Sequence, residues 1–168
     1  IMTISVFLIG NQKTSAQKKK ITLDEIYRSY TFSQRSVRGI NSMQDGKHYT
    51  VNNRGKTIDK HRYRDGEKTE TVFDAGDHEA LSGFGTYSFS ADEKMILLAT
   101  NIERIYRRSY QADHFLYHIE TEELMPLSTG KKQQLATLSP DNSLVAYVRE
   151  NNLFIYNPED QAEKQVTY

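Results

Sequence analysis

From residue 40 onward the apolar positions fall in short runs, and the runs repeat. SFSADEKMILLAT (Ser88–Thr100) and TLSPDNSLVAYV (Thr137–Val148) align at an offset of 49, which pairs Ser90 with Ser139, Asp92 with Asp141 and Ile96 with Val145. A weaker copy, INSMQDGKHYTVN (Ile40–Asn52), sets Asp45 47 residues before Asp92. Each copy reads as a strand, a turn around an aspartate and a second strand. An aspartate at such a turn bonds its own backbone two residues on, so its presence needs no catalytic explanation. A second hairpin pattern follows each copy, at Ile58–Phe73 with Asp65-Gly66 as its turn, at His114–Leu127 and at Leu153–Val166.

Four short strands every 47 to 49 residues is the pattern of a β-propeller blade, whose sheet cannot bury its faces without a neighbour. The expected fold is all-β: an incomplete β-propeller of about three blades of four antiparallel strands, preceded by one short N-terminal helix. Propellers close with about four to eight blades, so three imply part of a longer product with exposed sheet faces and edges and poor solubility. The helix is read in ITLDEIYRSY (residues 21–30), where Thr22 and Glu25 form a capping box and Ile21 and Ile26 a hydrophobic staple. Leu23, Ile26, Tyr27 and Tyr30 then share one face.

Ahead of the helix, the apolar run ISVFLIG (Ile4–Gly10) is followed by polar residues and by Ser15-Ala16. This resembles the end of a secretory signal peptide cut after Ala16 or Gln17. Residues 1–17 are accordingly expected to be a leader remnant and 18–168 the propeller region; a buried strand is the other reading of the run. No basic segment precedes it, and it is too short to span a bilayer. Lys18–Lys20 read as a solvated tail.

Spacing singles out one stretch. From the turn aspartate to the first tyrosine of the following hairpin is 18 residues in the first copy (Asp45 to Tyr63), 15 in the third (Asp141 to Tyr156) and 25 in the second (Asp92 to Tyr117). The second copy therefore holds seven to ten extra residues within about 102–112, and such inserts emerge where propeller loops carry function. The insert lies in NIERIYRRSY (Asn101–Tyr110), which carries Glu103, Arg104, Arg107 and Arg108.

Composition narrows the chemistry. The net charge is zero, which gives no electrostatic reason to expect nucleic acid or an anionic membrane as partner. There is no cysteine, so disulfides, thiolate metal sites and cysteine nucleophiles are excluded. His114 and His118 are four apart, but on a strand that spacing separates them by about 13 Å, too far to share an ion. Asp77-His78-Glu79 lacks further ligands at a recognisable spacing. No metal or cofactor is expected.

ITLDEIYRSYTFSQRSVRGINSMQDGKHYT, YSFSADEKMILLATNIERIYRRSYQADHFLYHIETEELMPLS and QQLATLSPDNSLVAYVRENNLFIY together resemble the dipeptidyl peptidase IV family over residues 21–157. The most specific element is Asn-x5-Arg-x-Ser-Tyr, here Asn101, Arg107, Ser109 and Tyr110. The resemblance implies an eight-bladed N-terminal propeller covering a C-terminal α/β-hydrolase domain in a serine peptidase, which the leader-like N-terminus would make secreted or periplasmic. That enzyme class removes dipeptides from peptide N-termini, with Pro or Ala second, and can form homodimers. By motif position the resemblance points to Arg107 as the insert arginine that holds a substrate backbone carbonyl, with Tyr106 at the aromatic position before it. The family's paired glutamates have no counterpart here, and no G-x-S-x-G elbow occurs, so the triad would come from a hydrolase domain absent from this chain.

From the residues alone, Arg107 has two readings. A guanidinium offers fixed paired donors to a carbonyl and keeps its charge near neutrality; equally, it suits a surface ion pair with Glu103 or Asp113. Tyr106 can line a pocket, whereas Tyr110 reads as packing. The functional alternatives are the substrate-positioning part of a serine dipeptidyl peptidase, inactive without its triad, and a non-catalytic propeller-type module that binds proteins or peptides.

Overall fold

Twelve strands account for the repeating pattern in a computed structural model that describes residues 20–33 and 39–168. The leader expected at residues 1–17 lies outside these. The first sheet is β1 (Ile40–Ser42), β2 (His48–Asn53), β3 (Thr57–Arg62) and β4 (Lys68–Asp74). The second is β5 (Thr86–Phe89), β6 (Met95–Arg104), β7 (Tyr110–His118) and β8 (Glu123–Pro126). The third is β9 (Gln134–Leu138), β10 (Val145–Arg149), β11 (Asn152–Asn157) and β12 (Ala162–Gln165). Each is an antiparallel meander of four sequential strands, which is the architecture of propeller blades, and the three do not close into a ring.

Side-chain alternation along the second sheet explains how the blades stack. Met95 and Leu97 of β6, with Leu116 of β7, face Val145, Tyr147, Phe154 and Tyr156 of the third sheet. Ile96 and Leu98, with Tyr117, face Ile58, Phe73 and Phe84 on the other side. A strand with successive residues on opposite faces serves two cores only if both faces are covered, and Met95 through Thr100 are all buried. Phe73 meets Phe84 and Tyr117 edge-on, and His78 stacks on Phe73 at 5.3 Å. His78 is thus a packing residue.

The repeated aspartates close the first turn of each blade, as their spacing suggested. Asp45 Oδ1 accepts from the Lys47 and His48 amides at 2.8 and 2.9 Å. Asp92 accepts from the Ser90 hydroxyl at 2.6 Å and the Lys94 amide at 3.2 Å. Asp141 accepts from the Ser139 hydroxyl at 2.5 Å and the Ser143 amide at 3.1 Å. The following residue is left-handed each time: Gly46 at φ 63°, Glu93 at 58° and Asn142 at 65°. Glu93 and Asn142 tie the blades together. The Gln44 amide donates to Glu93 Oε1 at 2.7 Å, and the Ala91 amide donates to Asn142 Oδ1 at 2.8 Å. Gly55, at φ 73°, seats the β2–β3 turn on the next blade, since a side chain there would begin 2.4 Å from the Phe84 carbonyl oxygen.

The N-terminal residues form a separate unit. Its helix α1 is shorter than the expected 21–30, spanning Leu23–Tyr27, although the Thr22–Glu25 capping box is present. Ile21, Leu23, Ile26, Tyr27 and Tyr30 are all exposed, so the expected staple and apolar face are not buried. Five residues exceed one turn only slightly, and a helix that short draws little stability from its own hydrogen bonds.

Two outcomes test the turns. Hydrogen bonds from the Ser139 side chain and the Ser143 amide hold the Asp141 carboxyl down to about 2. A depressed carboxyl contributes stability that is complete above its unfolded value of about 4 and is lost as pH falls toward its folded value. Asp141→Asn should flatten the acid-unfolding curve across about pH 4 to 2, as followed by circular dichroism. At neutral pH, Asn142→Gly should cost about 1 kcal/mol through the lost blade link. Asn142→Ala should cost about 2 kcal/mol, because it adds the left-handed penalty; denaturant titration distinguishes them.

Candidate functional site: an arginine-tipped ribbon

The extra residues of the second blade do not form a separate loop. They lengthen β6 to ten residues and β7 to nine, against six and six for β2 and β3. The result is a two-stranded ribbon extending the middle hairpin of the blade. Pairing runs without interruption from Met95↔His118 to Thr100↔Asp113, then resumes at Glu103↔Gln111 and Arg104↔Tyr110. Asn101 and Ile102 therefore oppose the single residue Ala112, a β-bulge that re-aims the strands beyond it.

Each bulge residue has a reason to be where it is. Asn101 is left-handed at φ 47°, a conformation that Asn tolerates better than most side chains. Its Nδ2 donates to Asp113 Oδ2 at 2.8 Å. Ile102 packs against the backbone of Gly85, where any Cβ would lie 2.3 Å from Ile102 Cδ1.

The connection into the third blade meets the ribbon's base from the other side. Ala112 and Gln133 exchange backbone hydrogen bonds at 2.9 and 2.8 Å. Buried Gln133 accepts the His114 amide at 3.0 Å and donates through Nε2 to the Lys131 carbonyl at 2.9 Å. Burial lowers the pKa of His114, favouring the neutral ring, and its Nδ1 lies 3.3 Å from Gln133 Oε1. Lys132 Nζ donates to Glu103 Oε1 at 2.7 Å and to the Asn101 carbonyl, and Gln111 Nε2 donates to Glu103 Oε2 at 2.8 Å. The hydrogen bonds from Lys132 and then Gln111 hold the Glu103 carboxyl below its ordinary range.

Beyond these contacts lies the tip, Ile105–Ser109, closed by the Ser109 carbonyl, which accepts the Ile105 and Tyr106 amides at 3.0 and 3.2 Å. Arg104, Arg107 and Arg108 are exposed there together with Ile105, and Tyr106 is 80% exposed. Tyr110 is half-buried opposite Arg104. The two carboxylates nearest in sequence are committed elsewhere, Glu103 to Lys132 and Gln111, and Asp113 to Asn101. Among the described residues none of the three arginine side chains has a hydrogen bond or ion pair. The ion-pair reading of Arg107 thus loses both of its expected partners, and the guanidinium donors face solvent.

Sequence reasoning located the insert and its arginines but missed Lys132 and Gln133. Their partners lie 29 and 21 positions away, at Glu103 and Ala112, and no local pattern encodes such a meeting. A cavity of about 620 Å³ between the first two blades, lined by Glu70, Asp74, Asp77, His78, Tyr117 and Glu122 among others, includes no ribbon residue.

Residues 90–168 match the family described as dipeptidyl peptidase IV N-terminal region. The chain carries this region of the dipeptidyl peptidase IV family. Dipeptidyl peptidase 4 of Trichophyton rubrum is 33% identical over 148 residues, covering 86% of this chain and 19% of the relative. The crystal structure of Porphyromonas gingivalis dipeptidyl peptidase 4 superposes with a TM-score of 0.73 at 39% identity, over 89% of this chain and 22% of that one. The tricorn protease shares the fold alone, with a TM-score of 0.51 at 16% identity. The dipeptidyl peptidase IV region described here therefore spans about a fifth of the length of the relatives it matches. Among the described residues no helix is long and apolar enough to cross a membrane.

The bulge yields a direct test. Asn101→Ala loses the Asp113 bond and adds left-handed strain, together about 2 kcal/mol, while Asn101→Gly loses only the bond, about 1 kcal/mol. Unequal midpoints in urea, with Gly the milder, are the expected result.

Proposed function

We propose that this region orients the N-terminus of a peptide substrate in a secreted or periplasmic serine dipeptidyl peptidase. Arg107 would donate to a substrate backbone carbonyl from the ribbon tip. The observation that carries the reading is the unpaired guanidinium at the end of a braced ribbon, with Glu103 and Asp113 both occupied elsewhere. A paired, planar donor set fits a carbonyl oxygen. Tyr106, exposed beside it, would offer an apolar wall to the bound dipeptide, and Arg104 and Arg108 would stay solvated.

The reaction itself would be acyl transfer, through a Ser-His-Asp triad held on an α/β-hydrolase domain outside this chain. Residues 18–168 would then be the N-terminal part of the propeller, residues 1–17 the remnant of a leader, and homodimerisation a property of the longer enzyme. Dipeptides Xaa-Pro and Xaa-Ala would be the products.

Arg107→Ala in the intact peptidase should lower kcat/KM by about 10²-fold, the scale of losing one donor to a reacting carbonyl, with an unchanged melting temperature. Unchanged kinetics would return Arg107 to the solvated surface. Purified residues 1–168 should release no dipeptide from a Gly-Pro chromogenic substrate, because they carry no nucleophile elbow.

A further inference from the structure

The ribbon poses a mechanical problem that its own residues do not solve. A two-stranded hairpin without a third strand is marginal in water, and beyond Thr100 the β6–β7 pair is interrupted by the bulge at Asn101 and Ile102. Only two register pairs, Glu103↔Gln111 and Arg104↔Tyr110, lie between the bulge and the tip. A guanidinium that must meet a carbonyl at a fixed place needs a firmer mount, since a misplacement of about 1 Å can cost about 10²-fold in rate.

The mount is supplied from the neighbouring blade connection. Lys132 Nζ reaches both sides of the weak point at once, the Asn101 carbonyl at the bulge and the Glu103 carboxylate just beyond it. Its side chain is only 22% exposed, so it is held rather than waving in solvent. Gln111 completes the grip on Glu103 from the opposite strand at 2.8 Å. The base of the lysine is fixed in turn, because Gln133 beside it pairs its backbone with Ala112 and is itself buried. Isolated surface ion pairs contribute little, but this one bridges the bulge and a carboxylate shared by both strands.

We infer that Lys132, acting with Glu103 as a clamp across the Asn101 bulge, is a positioning residue that fixes the direction of the Arg107 ribbon. This rests on the substrate-positioning reading of Arg107. Lys132 touches no substrate. It acts through the orientation of the ribbon, so its effect should be visible only while Arg107 is present.

The test is a double-mutant cycle in the intact peptidase with a Gly-Pro chromogenic substrate, joined to amide hydrogen exchange of the ribbon. Lys132→Met should lower kcat/KM by about tenfold, a partial misplacement of the donor, and should accelerate exchange of the Ile105 and Tyr106 amides. Lys132→Arg, which keeps a cation within reach of Glu103, should restore most of both. In the Arg107→Ala background, Lys132→Met should cost nothing further, since a residue acting through another shows no separate effect once that other is gone. Losses that multiply would overturn the proposal, as would unaltered exchange and kinetics in Lys132→Met. Global unfolding of Lys132→Met would overturn it too, because Lys132 would then hold the domain rather than the ribbon. The two readouts keep the hypotheses apart. Faster ribbon exchange with a silent Arg107→Ala defeats the role of Arg107 and spares the clamp. A costly Arg107→Ala with an indifferent Lys132→Met defeats the clamp alone.

Discussion

The three sheets depend on burying both faces of the second one. Its strands β6 and β7 send alternate residues into two separate cores, Met95, Leu97 and Leu116 to one side and Ile96, Leu98 and Tyr117 to the other. Neither core exists without the middle sheet, and the middle sheet has nowhere to place its side chains without both neighbours. Stability in such a stack is a sum of nearest-neighbour terms, so the best-supported element is the central one. That element is also the one lengthened into the ribbon. A projecting arm is tolerable there because its roots are the most buried strands among the described residues.

The arm combines rigidity and exposure. Its lower half is gripped from two directions, by the packing of Ile102 on Gly85 from one blade connection and by hydrogen bonds from Lys132 and Gln133 of the other. Its upper half satisfies its own backbone through the Ser109 carbonyl and leaves three cations and two large apolar side chains to solvent. Uncommitted donors on a supported frame are what recognition of a backbone carbonyl asks for, since little ordering remains for the moment of binding. The adjoining carboxylates are used as structural fasteners, which keeps them from quenching the tip.

Much of this was legible in the residues. The offset of 49 between Asp92 and Asp141 revealed the blades, because a turn needs the same side-chain acceptor each time it recurs. The surplus between Asp92 and Tyr117 revealed the insert, because the repeat supplies its own ruler. The form of the insert was not legible: strands and a loop have the same length in sequence, and only the pairing of Glu103 with Gln111 across a bulge decides between them. The clamp was hidden for the same reason, since Lys132 sits in a run of polar residues indistinguishable from any solvated turn. The helix failed differently. Its capping box forms as read, but a cap sets where a helix starts and says nothing of how far it runs, and the apolar side chains at Ile26, Tyr27 and Tyr30 stay exposed.

The bonds between successive turns have a direction. Each passes from the amide before a turn aspartate to the side chain after the next one, Gln44 to Glu93 and Ala91 to Asn142. At the near end the residue in the accepting position is Gly46, which has no side chain to offer. At the far end the residue in the donating position is Pro140, which has no N–H. The series can be extended in neither direction by the same chemistry. The three blades are therefore laced into a block with unlaced margins, and strain reaching it from outside would open those margins before the joints within.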